Sequence, residues 1–126
     1  MSRSKWIILA LALTVVAASA LLIGCDAEAG GLIDCAKMQS LMADGVRVID
    51  VRTTAEFEGG HIPGAENVPV SDLEQAAATW DKDQPVALYC STGSRSADAA
   101  TMLGSLGFST VYDLAGGIAQ WDGDVE

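Results

Sequence analysis

The sequence predicts an α/β fold with a mostly parallel sheet, and three observations carry that reading. Short β-branched or apolar runs at Val46–Val51, Pro85–Cys90 and Ser109–Leu114 are separated by segments that read as helix. No internal repeat interrupts the alternation. The chain has 126 residues, one domain's worth, enough to bury a core without disulfide staples.

The first segment stands apart from this pattern. Arg3 and Lys5 open it, and Trp6 to Ile23 follow, apolar apart from Thr14 and Ser19. A basic start, an apolar stretch and small residues before a cut describe a signal peptide over 1–24. A retained membrane helix is the alternative, since this apolar stretch lies near the lower length limit for spanning. Residues 25–31 read as a short polar tether and 32–126 as the folded domain.

Within the domain, Asp34 suits an N-cap for a helix from Cys35 to Ala43, with Met38, Leu41 and Met42 on one face and Asp44-Gly45 as its stop. The strand Val46–Val51 follows. Thr53 to Phe57 start a second helix, halted by Gly59-Gly60, and Pro63-Gly64 punctuate a turn. Ser71 and Glu74 have capping-box spacing for a helix running to about Trp80. Asp81–Gln84 form a loop before the most apolar strand, Pro85–Cys90. After a small polar turn, a helix spans Ser96 to Leu106, closed by Gly107. The last strand, Ser109–Leu114, leads through Gly116-Gly117 into a helical turn ending at Trp121.

Composition narrows the chemistry. Seven Lys and Arg stand against 17 Asp and Glu, a net charge of −10, so no basic surface meets nucleic-acid phosphates. One His excludes a multi-His metal cage, and three Cys without a CxxC argue against structural zinc. Any chemistry centres on a cysteine or a carboxylate.

Cys90-Ser91-Thr92-Gly93-Ser94-Arg95-Ser96 is the segment suited to it. A strand runs into Cys90, and a helix follows a turn of small residues. Such a turn curls its N–H groups inward into an anion nest, reinforced by the positive end of the helix. A cysteine there has its thiolate favoured and becomes nucleophilic. Arg95 supplies a permanent positive charge for an anionic substrate. Cys90 alone reads equally as a small hydrophobe buried at a strand end; the turn, Arg-Ser and helix that follow favour function.

Two resemblances add to this. Leu22-Ile23-Gly24-Cys25 resembles a bacterial lipobox. That likeness implies cleavage before Cys25, lipidation of its sulfur, and a domain anchored in the bacterial cell envelope, facing the periplasm or exterior. Leu32–Trp121 resembles a rhodanese domain. The matching stretches are Val48-Ile49-Asp50-Val51-Arg52, Glu56-Phe57 with Gly60-His61-Ile62-Pro63-Gly64-Ala65, Asn67-Val68-Pro69, the Cys90–Ser96 loop, and Leu114-Ala115-Gly116-Gly117 with Trp121.

The rhodanese resemblance implies a three-layer fold, a mostly parallel central sheet flanked by helices, and a sulfurtransferase. Cys90 would take sulfane sulfur from thiosulfate or a similar small anionic donor as a persulfide and pass it to a thiol or cyanide-like acceptor. Ser91, Thr92, Gly93, Ser94, Arg95 and Ser96 would hold the substrate, Asp50 and Arg52 would support the loop, and no metal or cofactor is required. The alternatives are a persulfide carrier for a partner protein, or a non-catalytic binding or sensing module. Cell-cycle dual-specificity phosphatases use a similar turn with one more residue, so phosphatase activity is a minor alternative.

Three further residues carry expectations. Arg52 is expected to pair with Glu56 at i, i+4. His61 is expected in a structural turn rather than as a base. Cys35 is expected as a buried free thiol.

Overall fold

The computed structural model describes residues 30–126. The signal peptide, the lipobox and Cys25 lie outside the described residues. Five strands form one sheet: β1 (Gly30–Ile33), β2 (Arg47–Asp50), β3 (Glu66–Asn67), β4 (Val86–Tyr89) and β5 (Val111–Leu114). Their order is β1-β5-β4-β2-β3 and every pairing is parallel. Four helices connect them: α1 (Cys35–Ala43), α2 (Thr54–Glu58), α3 (Val70–Ala77) and α4 (Ser94–Ser105). A 3-10 turn follows over Gly117–Gln120. The α/β architecture expected from the sequence is the one observed.

The pleat sorts the core into two layers. Val86, Leu88 and Cys90 face Leu73 and Ala77 of α3 and Ala99 and Leu103 of α4. Ala87 and Tyr89 face the other way, towards Met38 and Leu41 of α1. Every residue of β4 is therefore buried, which is why that strand reads as an unbroken apolar run.

Several boundaries differ from the sequence reading, each for a local reason. β1 begins at Gly30, inside the segment read as tether; it pairs with β5, although two glycines give it little strand propensity. β3 has two residues, too few for a periodic signal. The capping box is not at Ser71: α3 starts one residue before it, Pro69 is the N-cap, and no side-chain cap bond forms. α3 also ends at Ala77 rather than near Trp80. The box that does form is Thr53 with Glu56, at the start of α2. α4 starts at Ser94, so Arg95 and Ser96 belong to its first turn.

Candidate active site

Cys90 follows the buried strand β4 directly, at its C-terminal end, where open α/β sheets hold their sites. The residue is fully buried, and the Gly93 N–H donates to its Sγ at 3.0 Å. Gly93 reaches this position with φ +109°, a conformation that favours glycine, and it caps α4. Burial pushes the Cys90 thiol up, but the Ser96 side chain and the backbone amides of Ser96, Gly93 and Thr92 outweigh it. The net shift is downward from the usual thiol value. The sulfur thus sits in apolar surroundings while the loop amides turn towards it.

A second turn holds the loop from behind. Ile118 N–H donates to Cys90 O at 2.8 Å and Ala119 N–H to Ser91 O at 3.0 Å. Gly117 permits this approach. A Cβ there would lie 2.5 Å from Cys90 O and 2.6 Å from the Ser91 carbonyl, at a φ of +65°. Ser91 and Thr92 carry the loop's outer edge, with Thr92 and Ser94 exposed. Ser96 is fully buried and its Oγ donates to Gly93 O at 3.2 Å.

Arg95 does not stand free for a substrate. Its Nη1 donates to Glu56 Oε2 at 2.8 Å, and its Nη2 donates to Glu56 Oε1 and Ser91 Oγ at 2.9 Å each. Ser91 Oγ also donates to Glu56 Oε1 at 3.2 Å. The Arg95 guanidinium, aided by the Thr53 amide, holds the Glu56 carboxyl well below the usual carboxylate range. Glu56 therefore links the start of α2 to the loop, a role that the sequence reading missed by assigning it to Arg52.

The expected Arg52–Glu56 pair is overturned. Arg52 turns to Asp50 instead: its Nη2 lies 2.7 Å from Oδ2 and its Nε 3.0 Å from Oδ1, and its own N–H donates to Oδ1 at 2.9 Å. Both residues are buried, and a forked pair of this kind suits a dry site far better than the exposed i, i+4 contact. Arg52 Nη2 also donates to Gly60 O at 2.7 Å, while Asn67 Nδ2 donates to the carbonyls of Asp50 and Arg52. The pair braces the 60–67 turn, and neither side chain has a hydrogen bond to the 90–96 loop.

His61 lies in that same turn. Its ring stacks on Phe57 at 3.7 Å, its backbone pairs with Glu126, and its Nε2 lies 3.4 Å from Glu126 Oε2. Cys35 is free but only half-buried, a correction to the expected buried thiol: its Sγ donates to Gln120 O at 3.1 Å, at the open start of α1. A groove of about 580 Å³ lined by Arg47, Trp80 and Pro85 lies at the other end of the sheet, with no cysteine in its lining. Among the described residues, no three His, Cys, Asp or Glu side chains gather as metal ligands.

Comparison with known proteins supports the fold. The family model for the rhodanese-like domain matches residues 34–124. The uncharacterized protein YqhL of Bacillus subtilis is 45% identical over 80 residues, 64% of this chain and 64% of YqhL. The chain thus spans just under two thirds of that relative's length. Thiosulfate sulfurtransferase GlpE of Pseudomonas fluorescens is 42% identical over 86 residues, 66% of this chain and 76% of GlpE. A crystal structure of a rhodanese-related protein from Thermoplasma volcanium aligns with a TM-score of 0.67 and 31% identity, covering 75% of this chain and 95% of that one. Human single domain sulfurtransferase TSTD1 aligns with a TM-score of 0.67 and 30% identity over 71% of this chain and 93% of its own.

Proposed function

This chain belongs to the rhodanese-like domain family, and on that premise we propose that it is a sulfurtransferase working through a persulfide on Cys90. The observation that carries the proposal is the Gly93 N–H aimed at a buried Cys90 sulfur at the head of α4. A sulfur held by amides is stabilised as an anion both bare and with a second sulfur attached. The similarity to GlpE supports thiosulfate as donor.

The cycle balances without a cofactor. The Cys90 thiolate attacks the outer sulfur of thiosulfate; an S–S bond forms, and the bond to the sulfonate sulfur breaks with its electron pair leaving on sulfite. A thiolate or cyanide then attacks the terminal sulfur, and Cys90 departs as thiolate. The amides of Thr92, Gly93 and Ser96 face the charge in each step, and Arg95, through Ser91 and Glu56, fixes the loop's outer edge.

The test is mass spectrometry of Cys90 after exposure to thiosulfate. A gain of one sulfur, absent in Cys90→Ser, is expected; an unmodified Cys90, or a Cys90→Ser variant with full thiosulfate:cyanide activity, overturns the proposal. One observation favours a second reading, a carrier loaded by a partner protein: both terminal nitrogens of Arg95 are already engaged, which leaves little charge free for a small dianion. Fast loading from a protein persulfide with slow loading from thiosulfate would select it.

We also propose that the domain is lipid-anchored through Cys25 in the bacterial envelope, on the sequence alone. Mass analysis of the natural N-terminus should find an acylated Cys25, and an intact Met1 would overturn the anchor.

A further inference from the structure

Because every pairing in the sheet is parallel, its two ends are unlike. Gly30, Val111, Val86 and Arg47 stand in one row at the end where the strands begin. Cys90 follows β4 at the opposite end, four residues along the chain from Val86. At the rise of an extended strand that separation is about 13 Å. The exposed Thr92 lies beyond it, on the loop held by the Gly117–Gln120 turn and by Glu56. The strand-start end carries instead the groove of Arg47, Trp80 and Pro85 and the 81–84 loop.

The chain enters the fold at Gly30, on the strand-start row. Cys25 lies five residues before it, and five residues span at most about 17 Å even when fully extended. An anchor at Cys25 therefore holds the strand-start end beside the bilayer. To bring Thr92 to the same surface, the tether would have to run back along β1 past the whole depth of the sheet and the loop, which uses nearly all of its length. Charge does not draw the domain down onto its side. Asp44, Glu66, Asp81 and Asp83 are exposed at the strand-start end, and Arg47 there is spent on Glu66 at 3.2 Å and on the Trp80 ring. An acidic end of this kind is pushed off an anionic leaflet within a Debye length, about 8–10 Å.

We propose that the short tether fixes the domain end-on, with the strand-start end towards the membrane and the Cys90 loop turned away from it. The partner that brings or takes sulfur then meets Cys90 from the aqueous side, and a group lying in the bilayer surface is out of reach. This orientation rests on the lipid anchor proposed above; it does not rest on the sulfur-transfer chemistry.

The experiment uses the full chain, processed in a bacterial host and reconstituted in phosphatidylglycerol-containing vesicles that carry a nickel-chelating lipid. In a Cys35→Ser, Cys90→Ser background, a single nitroxide is placed at Thr92→Cys or at Asp83→Cys, both exposed positions. An acylated Cys25 takes no label. Nickel at the headgroups should relax the label at position 83 severalfold more than the label at position 92. Inserting about 20 Gly and Ser residues after Asp26 gives the tether a root-mean-square reach of about 25 Å, and the difference should then shrink towards equality. Flotation with the vesicles is scored first: a chain that stays in the aqueous fraction overturns the anchor. A floating chain whose position 92 is relaxed as strongly as position 83 overturns the orientation. A difference that survives the long tether overturns the tether as its cause. None of these readouts involves sulfur transfer, so its failure would be seen separately.

Discussion

Replacing Glu56 by Gln tests how much of Arg95 is available to a substrate. Glu56 engages both terminal nitrogens of Arg95, at 2.8 and 2.9 Å. The two side chains are 38% and 36% exposed, so water screens the pair and its worth follows the range for exposed bridges. The forked geometry puts it near the top of that range, about 1 kcal/mol. Gln keeps the size and the capping role towards Thr53 but removes the charge. An anion at the loop then competes with a neutral amide for the guanidinium and no longer faces a carboxylate. The KM for thiosulfate should fall about fivefold, the factor equivalent to about 1 kcal/mol. The kcat should stay within about twofold, because the amides around Cys90 are untouched. The gain should shrink as salt is added. Steady-state thiosulfate:cyanide kinetics, with thermal melts as a folding control, measure all of this. An unchanged or higher KM in a folded variant would refute the view that Glu56 competes with the donor for Arg95.

Three other outcomes follow from the same geometry. Gly117→Ala forces a methyl into the Cys90 and Ser91 carbonyls at a positive φ, so it should cost about 2 kcal/mol or more and slow Cys90 alkylation; a wild-type melt and rate would remove the buttress role. Arg52→Ala leaves the buried Asp50 without its partner and should destabilise by about 3–5 kcal/mol in denaturant titration, whereas a loss below about 1 kcal/mol would show the pair to be idle. Glu56 ionises more readily folded than unfolded, so its contribution is present above its ordinary value of 4.5 and lost on acidification. The melting-temperature gap between wild type and Glu56→Gln should therefore narrow below about pH 4.5; a gap that widens there would reverse the assigned sign.

What could be read from the sequence was what neighbours in the chain decide. Asp34 caps α1 through the Lys37 amide, and the apolar run into Cys90 marks the central strand, because both signals are local. The loop was visible for the same reason: Cys90, Gly93 and Ser96 act on one another within one curl of backbone. The misassigned ion pair shows what spacing alone leaves open. Arg52 and Glu56 have good i, i+4 spacing, but the fold brings Arg95 across 39 residues to Glu56 and leaves Arg52 to the nearby Asp50. Asp113 drew no reading of its own, since its burial depends on the neighbouring strand and the packed helix layer. An acid at a period-2 core position, three residues before the Gly-Gly turn, was the signal available for it.

The pairing has a chemical consequence at the sulfur. Asp50 is matched by Arg52 and Glu56 by Arg95, so the charged side chains framing the loop largely cancel. Little uncompensated positive charge is left to hold a thiolate. The positive potential at Cys90 must come from main-chain amides, the Ser96 hydroxyl and the head of α4, which side-chain ionisation does not switch off. A short curl of amides favours a compact, singly charged atom over a larger anion that needs several donors spread around it. The same arrangement serves a bare thiolate and a persulfide, because the anionic atom changes place by one S–S bond while the ring of donors stays. A centre built from backbone thus tolerates sulfur arriving and leaving without moving a charged side chain.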